Sequence, residues 1–242
     1  RFVATSGGFR TLLALVDLED ESARDAARQA LAQICIVTNP ALLNYSEQLD
    51  AVRPLVELLD HKHELLQFEG AMALTNLLTV SDELRSRALQ ADVWRASRDL
   101  LFSENELVQR AGLETICNLT MAPEVIERFV EGRGDNDLKI LMAFALADDH
   151  QTRVAVSGAL AMLASVEEIA ARIAATENFG NLLKLLDEAT DPSIQHRVTA
   201  LLCSVCEADV PPPAAMKALK DKQAKGFASK EAAALVQSMG GA

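Results

Sequence analysis

The chain has 242 residues, half of them hydrophobic and only 4% aromatic, with 11 glycines and 7 prolines. That is the profile of a folded, helix-rich protein long enough to bury a sizeable core, and it excludes a disordered chain. A formal charge of -12, from 35 acidic against 23 basic residues without a basic stripe, repels phosphate backbones and argues against a nucleic-acid partner.

No run approaches the roughly 18 to 20 apolar residues of a membrane span, and the opening Arg1-Phe2-Val3 begins no signal-peptide pattern. The expectation is a cytoplasmic protein with no membrane partner. Cys35, Cys117, Cys203 and Cys206 each lie inside an apolar helical pattern, where a free thiol behaves as a small hydrophobe, which suits a reducing compartment.

In chain order, the spacing of apolar residues at three and four predicts helices throughout. After a first apolar helix carrying Ala30-Leu31-Ala32-Gln33-Ile34, a second unit reads as helices at 40–48, 51–59 (AVRPLVELL) and 64–79. A third unit repeats it at 82–89, 93–101 and 105–121. Pro40, Pro123 and Pro192, with Asp or Ser nearby, sit where one helix ends and the next starts.

Aligning the Ala- and Leu-rich segments sets Gln33, Asn76, Asn118, Met162 and Ser204 in one register, in steps of 43, 42, 44 and 42 residues. That period belongs to armadillo and HEAT repeats. No single unit buries both faces of its helices, so the expected fold is all-α, a right-handed armadillo-repeat superhelix (an α-solenoid) of about five repeats. The repeats are expected to form one domain over 1–208. A Pro-rich break at 209–213 (DVPPP) then leads to a helical tail at 214–239, so that 209–242 reads as a C-terminal cap.

In such a stack the long third helices line up as the concave inner wall, a surface suited to segments of other proteins. The residues four and eight before each ladder position share its face. That face reads Asp25, Gln29, Gln33, then Phe68, Met72, Asn76, then Arg110, Glu114, Asn118, and finally Val154, Gly158, Met162. Side-chain amides there offer pairing for a bound backbone, and Phe68 and Met72 offer apolar contact. From spacing alone, a purely solvated row of amides and a core position for Phe68 remain the alternatives.

The same residues resemble the UCS family of myosin-directed chaperones. The stretches that carry the resemblance are VRPLVELL at 52–59, FEGAMALTNL at 68–77, QRAGLETICNL at 109–119, FVEGRGDNDLK at 129–139, GALAMLAS at 158–165 and QHR at 195–197. They run in family order and cover nearly the whole chain. The resemblance implies an armadillo solenoid whose client is the myosin motor domain, held in a groove lined by an aromatic residue and an Asn that correspond to Phe68 and Asn76. Arg110 and Asn118 match on the next long helix, while Met162 departs from an uninterrupted amide ladder. The family's tetratricopeptide module, central region and long flexible loop are not visible. The resemblance therefore implies the C-terminal portion of a UCS domain, with general heat-shock chaperones as partners only through parts outside these residues.

Other motifs carry less. Cys203-x-x-Cys206 has the spacing of redox and zinc pairs but lacks a second pair, and His61-x-His63 supplies too few ligands for a structural zinc. His150 and His196 have no Ser, Cys or Asp partner in sequence, and neither a nucleophile motif nor a phosphate loop occurs. No enzyme, metal or cofactor is expected. Arg133-Gly134-Asp135 and the sequons at Asn44 and Asn118 read as chance. The competing function is an adaptor that docks a linear, basic peptide in the acidic field. Adaptors of that class keep Trp beside the ladder Asn, whereas the lone Trp94 falls on a second helix.

Overall fold

The computed structural model describes residues 7–207 and 212–239, and all regular structure among them is helical. The chain divides into two compact units, Arg1–Ala122 and Pro123–Ala242. Of the expected break at 209–213, only Pro212 and Pro213 are among the described residues. The boundary expected at 208/209 lies outside them, as does Arg1-Phe2-Val3.

The first unit contains α1 (Gly8–Leu13), α2 (Glu21–Val37), α3 (Tyr45–Leu59), α4 (Glu64–Leu77), α5 (Asp82–Gln90), α6 (Val93–Leu100) and α7 (Glu106–Leu119). Four of these starts are fixed by side-chain caps. Asp20 accepts from the Ser22 N–H, Ser81 from Leu84 and Asn105 from Leu107, and Asn44 forms a reciprocal capping box with Glu47.

That capping box explains one departure from the expected elements. The two helices anticipated at 40–48 and 51–59 are instead a 3-10 turn, Pro40–Leu42, followed by the single helix α3. Gln48 ties the two together by donating through Nε2 to the carbonyls of Pro40 (3.1 Å) and Leu43 (2.9 Å). The helix runs through Pro54, which removes one backbone donor and strains the preceding turn at a cost of about 3 kcal/mol. Burial of Val52, Leu55, Val56, Leu58 and Leu59 on the same helix, at about 1.5–3 kcal/mol for each fully buried side chain, outweighs it.

The long helices of this unit pack in sequence, α2 on α4 and α4 on α7, while α3 lies on α4 and α6 on α7. Two glycines permit the last pair of contacts. A Cβ on Gly70 would sit 2.7 Å from the Cβ of Leu58, and one on Gly112 would sit 2.8 Å from the carbonyl oxygen of Ser97. Both occupy the same place in their repeats, six residues before Asn76 and Asn118.

The second unit contains α8 (Pro123–Val130), α9 (Asp135–Ala143), a 3-10 turn (Phe144–Leu146), α10 (His150–Leu163), α11 (Glu167–Ala175), α12 (Phe179–Glu188), α13 (Pro192–Glu207), α14 (Pro213–Lys225) and α15 (Lys230–Met239). Pro123 and Pro192 open their helices as expected. Helix α10 packs on α13, and the tail folds back as two helices, α14 against α12 and α13, and α15 against α13. Gln195 anchors the link between the tail helices. Its Oε1 accepts from the Ala228 N–H at 2.8 Å, and its Nε2 donates to the Ala189 carbonyl at 2.6 Å.

Within each unit, repeats are joined by one recurring device. A helix leaves its last four carbonyls without intrahelical partners. Here a side chain from the following repeat, about 40 positions on, donates to one of them. Asn76 reaches the end of α2 and Asn118 the end of α4. In the second unit Arg172 reaches the Val130 carbonyl at the end of α8 (3.2 Å), and Asn181 reaches Met142 near the end of α9 (3.1 Å).

Candidate protein-binding face

Every ladder-face residue expected to bind a partner lies in the first unit, on α2, α4 and α7. Gln29, Phe68, Met72, Asn76, Arg110, Glu114 and Asn118 are all half-buried, and Gln33 is exposed. The three helices lie side by side, so the row forms one continuous face. Phe68 is not a core residue. The core beneath is built from Leu31, Leu74, Leu77, Leu113 and Ile116, each almost wholly excluded from solvent.

The amides are more constrained than spacing suggests. Asn76 donates through Nδ2 to the carbonyl of Cys35 at 3.1 Å and that of Ile36 at 3.3 Å, and Asn118 donates to the carbonyl of Thr75 at 2.8 Å. Their amide nitrogens therefore hold the preceding repeat, and Oδ1 remains the acceptor atom of each amide. Thr115 reinforces the α4–α7 seam, with its Oγ1 3.2 Å from both the Thr75 hydroxyl and the Ala71 carbonyl.

At the α2 end, Gln29 and Gln33 converge on a residue that the ladder register missed. Their Nε2 atoms donate to the two oxygens of the Glu69 carboxylate, at 2.8 Å to Oε2 and 3.1 Å to Oε1 respectively. Glu69 is one residue outside the four-residue register, which is why sequence spacing passed over it. The available signal was the pair of glutamines four apart on the facing helix. Nearby, His61 accepts the His63 N–H at Nδ1 (3.0 Å), which places its proton on Nε2 towards Asp25 (3.1 Å). His61 is thus a link between α2 and the start of α4. At the α7 end Arg110 and Glu114 form a loose ion pair of 3.9 Å.

In the second unit the corresponding row changes character. Gly158 is buried, Met162 is 37% exposed, and the Val154 carbonyl receives Arg197 at 2.7 Å. The amide ladder ends with the first unit.

No group of three or more possible metal ligands occurs among the described residues, and no helix there is long and apolar enough to cross a membrane. The four cysteines are free. Burial pushes the Cys35 thiol up to about 12 and, with the neighbouring Cys206 and Glu207 as lesser causes, that of Cys203 to about 11. The Cys203/Cys206 pair is therefore held as thiols on one face of α13.

No family model matches the chain. It is 31% identical over 211 residues to protein unc-45 homolog B of Danio rerio, a match that takes in 86% of this chain and 22% of the relative. It is 33% identical over 168 residues to ring assembly protein 3 of Schizosaccharomyces pombe, covering 64% of this chain and 22% of that one. The chain thus spans between a fifth and a quarter of the length of these relatives. Among solved structures, UNC-45 from Drosophila melanogaster superposes with a TM-score of 0.85 at 27% identity, over 98% of this chain and 31% of that one. A designed armadillo repeat protein superposes with a TM-score of 0.76 at 19% identity over 95% of this chain and 97% of its own, a likeness of fold. The fold is an armadillo-type α-solenoid.

Proposed function

The chain belongs to the UCS family, and from that premise we propose that it is a chaperone portion that holds the myosin motor domain on the face formed by α2, α4 and α7, promoting its folding and stability. A structurally similar UNC-45 chaperone, 19% identical and with a TM-score of 0.81, is described as having molecular features critical for binding and folding muscle myosin. The observation that carries the placement is the disposition of Phe68 and Asn76. They lie two turns apart on α4, both half-buried, on a face continuous with the long helices on either side. Phe68 and Met72 supply apolar area, and the Asn Oδ1 atoms accept from an extended segment. Each neutral pair of that kind is worth about 1 kcal/mol net, so several act together, with affinity on the order of micromolar. The setting is the cytoplasm, and no reaction is catalysed.

The adaptor reading has less support. Trp94 is 7% exposed within α6, so the face lacks the Trp that such docking grooves set beside their Asn ladder. The test is light scattering of a purified muscle myosin motor domain heated with and without an equimolar amount of this chain. Suppression of aggregation is expected. Scattering that matches an albumin control, together with no measurable binding, would refute a chaperone role.

A further inference from the structure

We propose that the Glu69 carboxylate is a subsite for an arginine side chain of the bound segment. The inference rests on the face of α2, α4 and α7 being the binding surface, and it adds the chemistry that part of the face selects.

The argument begins with the two amides. An ionised carboxylate accepts at about four lone-pair positions. At Glu69 one position on each oxygen is taken, by Gln29 and by Gln33, and both donors come from the neighbouring helix α2. Neither donor carries charge, so the clamp orients the carboxylate without neutralising it. Among the described residues, no Lys, Arg or His nitrogen pairs with Glu69. Two acidic groups that pack on α2 are treated differently: Asp25, on α2 itself, meets Arg28 and His61, and Glu57, on α3, meets Arg28. Glu69 is thus a half-buried charge, held by two neutral donors and left uncompensated, on the helix that also carries Phe68.

The remaining lone pairs, one per oxygen, suit a planar fork of two N–H donors. A guanidinium supplies that fork and a single ammonium does not, which favours Arg over Lys. The overall charge of -12 draws basic segments towards the surface.

The experiment is a peptide array of overlapping 12-residue segments tiling the myosin motor domain, probed with the wild-type chain, Glu69→Gln, Asn76→Tyr and Phe68→Ala. The strongest Arg-containing segment is then titrated in solution as the natural peptide and with citrulline in place of arginine, which keeps the shape and removes the charge. Glu69→Gln preserves length and removes the charge; one of its two clamp bonds survives at the amide oxygen, the other needs the facing glutamine amide to turn over, and circular dichroism verifies its fold. The expected result is about a tenfold weaker Kd for the citrulline peptide on the wild type, and no discrimination between the two peptides on Glu69→Gln. Equal affinity of both peptides for the wild type, or unchanged discrimination in Glu69→Gln, overturns the subsite. If Phe68→Ala and Asn76→Tyr leave the array pattern unaltered, the face itself is misplaced and the subsite falls with it.

Discussion

The side-chain amide of Asn76 lies 3.1 Å from the carbonyl oxygen of Cys35, so a residue expected to grip a partner also caps the last turn of the helix in the preceding repeat. The two roles use different atoms of one amide. Nδ2 faces the stack, and Oδ1 is the atom proposed to accept from a client. On the proposed reading a substitution at this position perturbs repeat coupling and partner binding together, so the two effects are measured separately.

Asn76→Ala leaves the Cys35 and Ile36 carbonyls without their side-chain donor. A loss of about 1–2 kcal/mol is expected, lowering the thermal midpoint by roughly 2–8 °C for a chain of this size. Asn76→Asp is expected to be worse, because a carboxylate replaces the donor at the negative end of the α2 dipole. Urea unfolding followed by far-ultraviolet circular dichroism ranks the three proteins. An Asp variant as stable as wild type would contradict the cap.

Gly70→Ala and Gly112→Ala are each expected to destabilise by about 1–3 kcal/mol, since the added methyl meets Leu58 or the Ser97 carbonyl at under 3.0 Å. This outcome opposes helix propensity, which favours Ala by about 1 kcal/mol. Gly180→Ala is the control, since nothing lies within 4 Å of its Cβ position, and it is expected to be neutral or slightly stabilising. The same unfolding measurement decides, and a stabilised Gly70→Ala would mean that α3 and α4 are further apart than described.

Cys35 is buried, with its thiol raised to about 12, so at pH 8 it is almost entirely protonated as well as inaccessible. Labelling with a chromogenic disulfide such as Ellman's reagent is expected to leave it unmodified in the native chain and to modify it promptly in 6 M guanidinium chloride. Mass mapping of the labelled sites provides the readout. Rapid native modification of Cys35 would show that α2 is not seated on α4.

Much of the fold was legible because the repeat writes the same apolar pattern about every 42 residues, with Asp, Asn or Ser caps and prolines marking helix starts. The helix break expected near 49–50 was misplaced for a local reason. Asn44 and Glu47, three residues apart, form the capping box that opens α3 earlier, and the helix runs on unbroken through Pro54. The ladder register located the shared face, and Phe68 and Met72 emerge half-buried on it. What spacing did not carry was direction: Nδ2 of Asn76 and Asn118 points along the stack, and the Gln29–Glu69–Gln33 clamp joins residues 36 and 40 positions apart. Contacts between repeats depend on how far neighbouring helices are offset, which the period of one helix does not specify.

The central claim is that this face holds the motor domain, and Phe68 tests it most directly, because its side chain lies above the core and has no part in the caps that join the repeats. The measurement is the equilibrium affinity for a purified muscle myosin motor domain, by titration of a fluorescently labelled chain, for wild type, Phe68→Ala and Met72→Ala, with urea midpoints measured alongside. Kd is predicted to rise about tenfold or more for Phe68→Ala and severalfold for Met72→Ala, while the urea midpoints fall only by the modest amount that losing a half-buried side chain costs and both variants stay folded. Affinities within twofold of wild type for both variants, in folded proteins, would contradict the account.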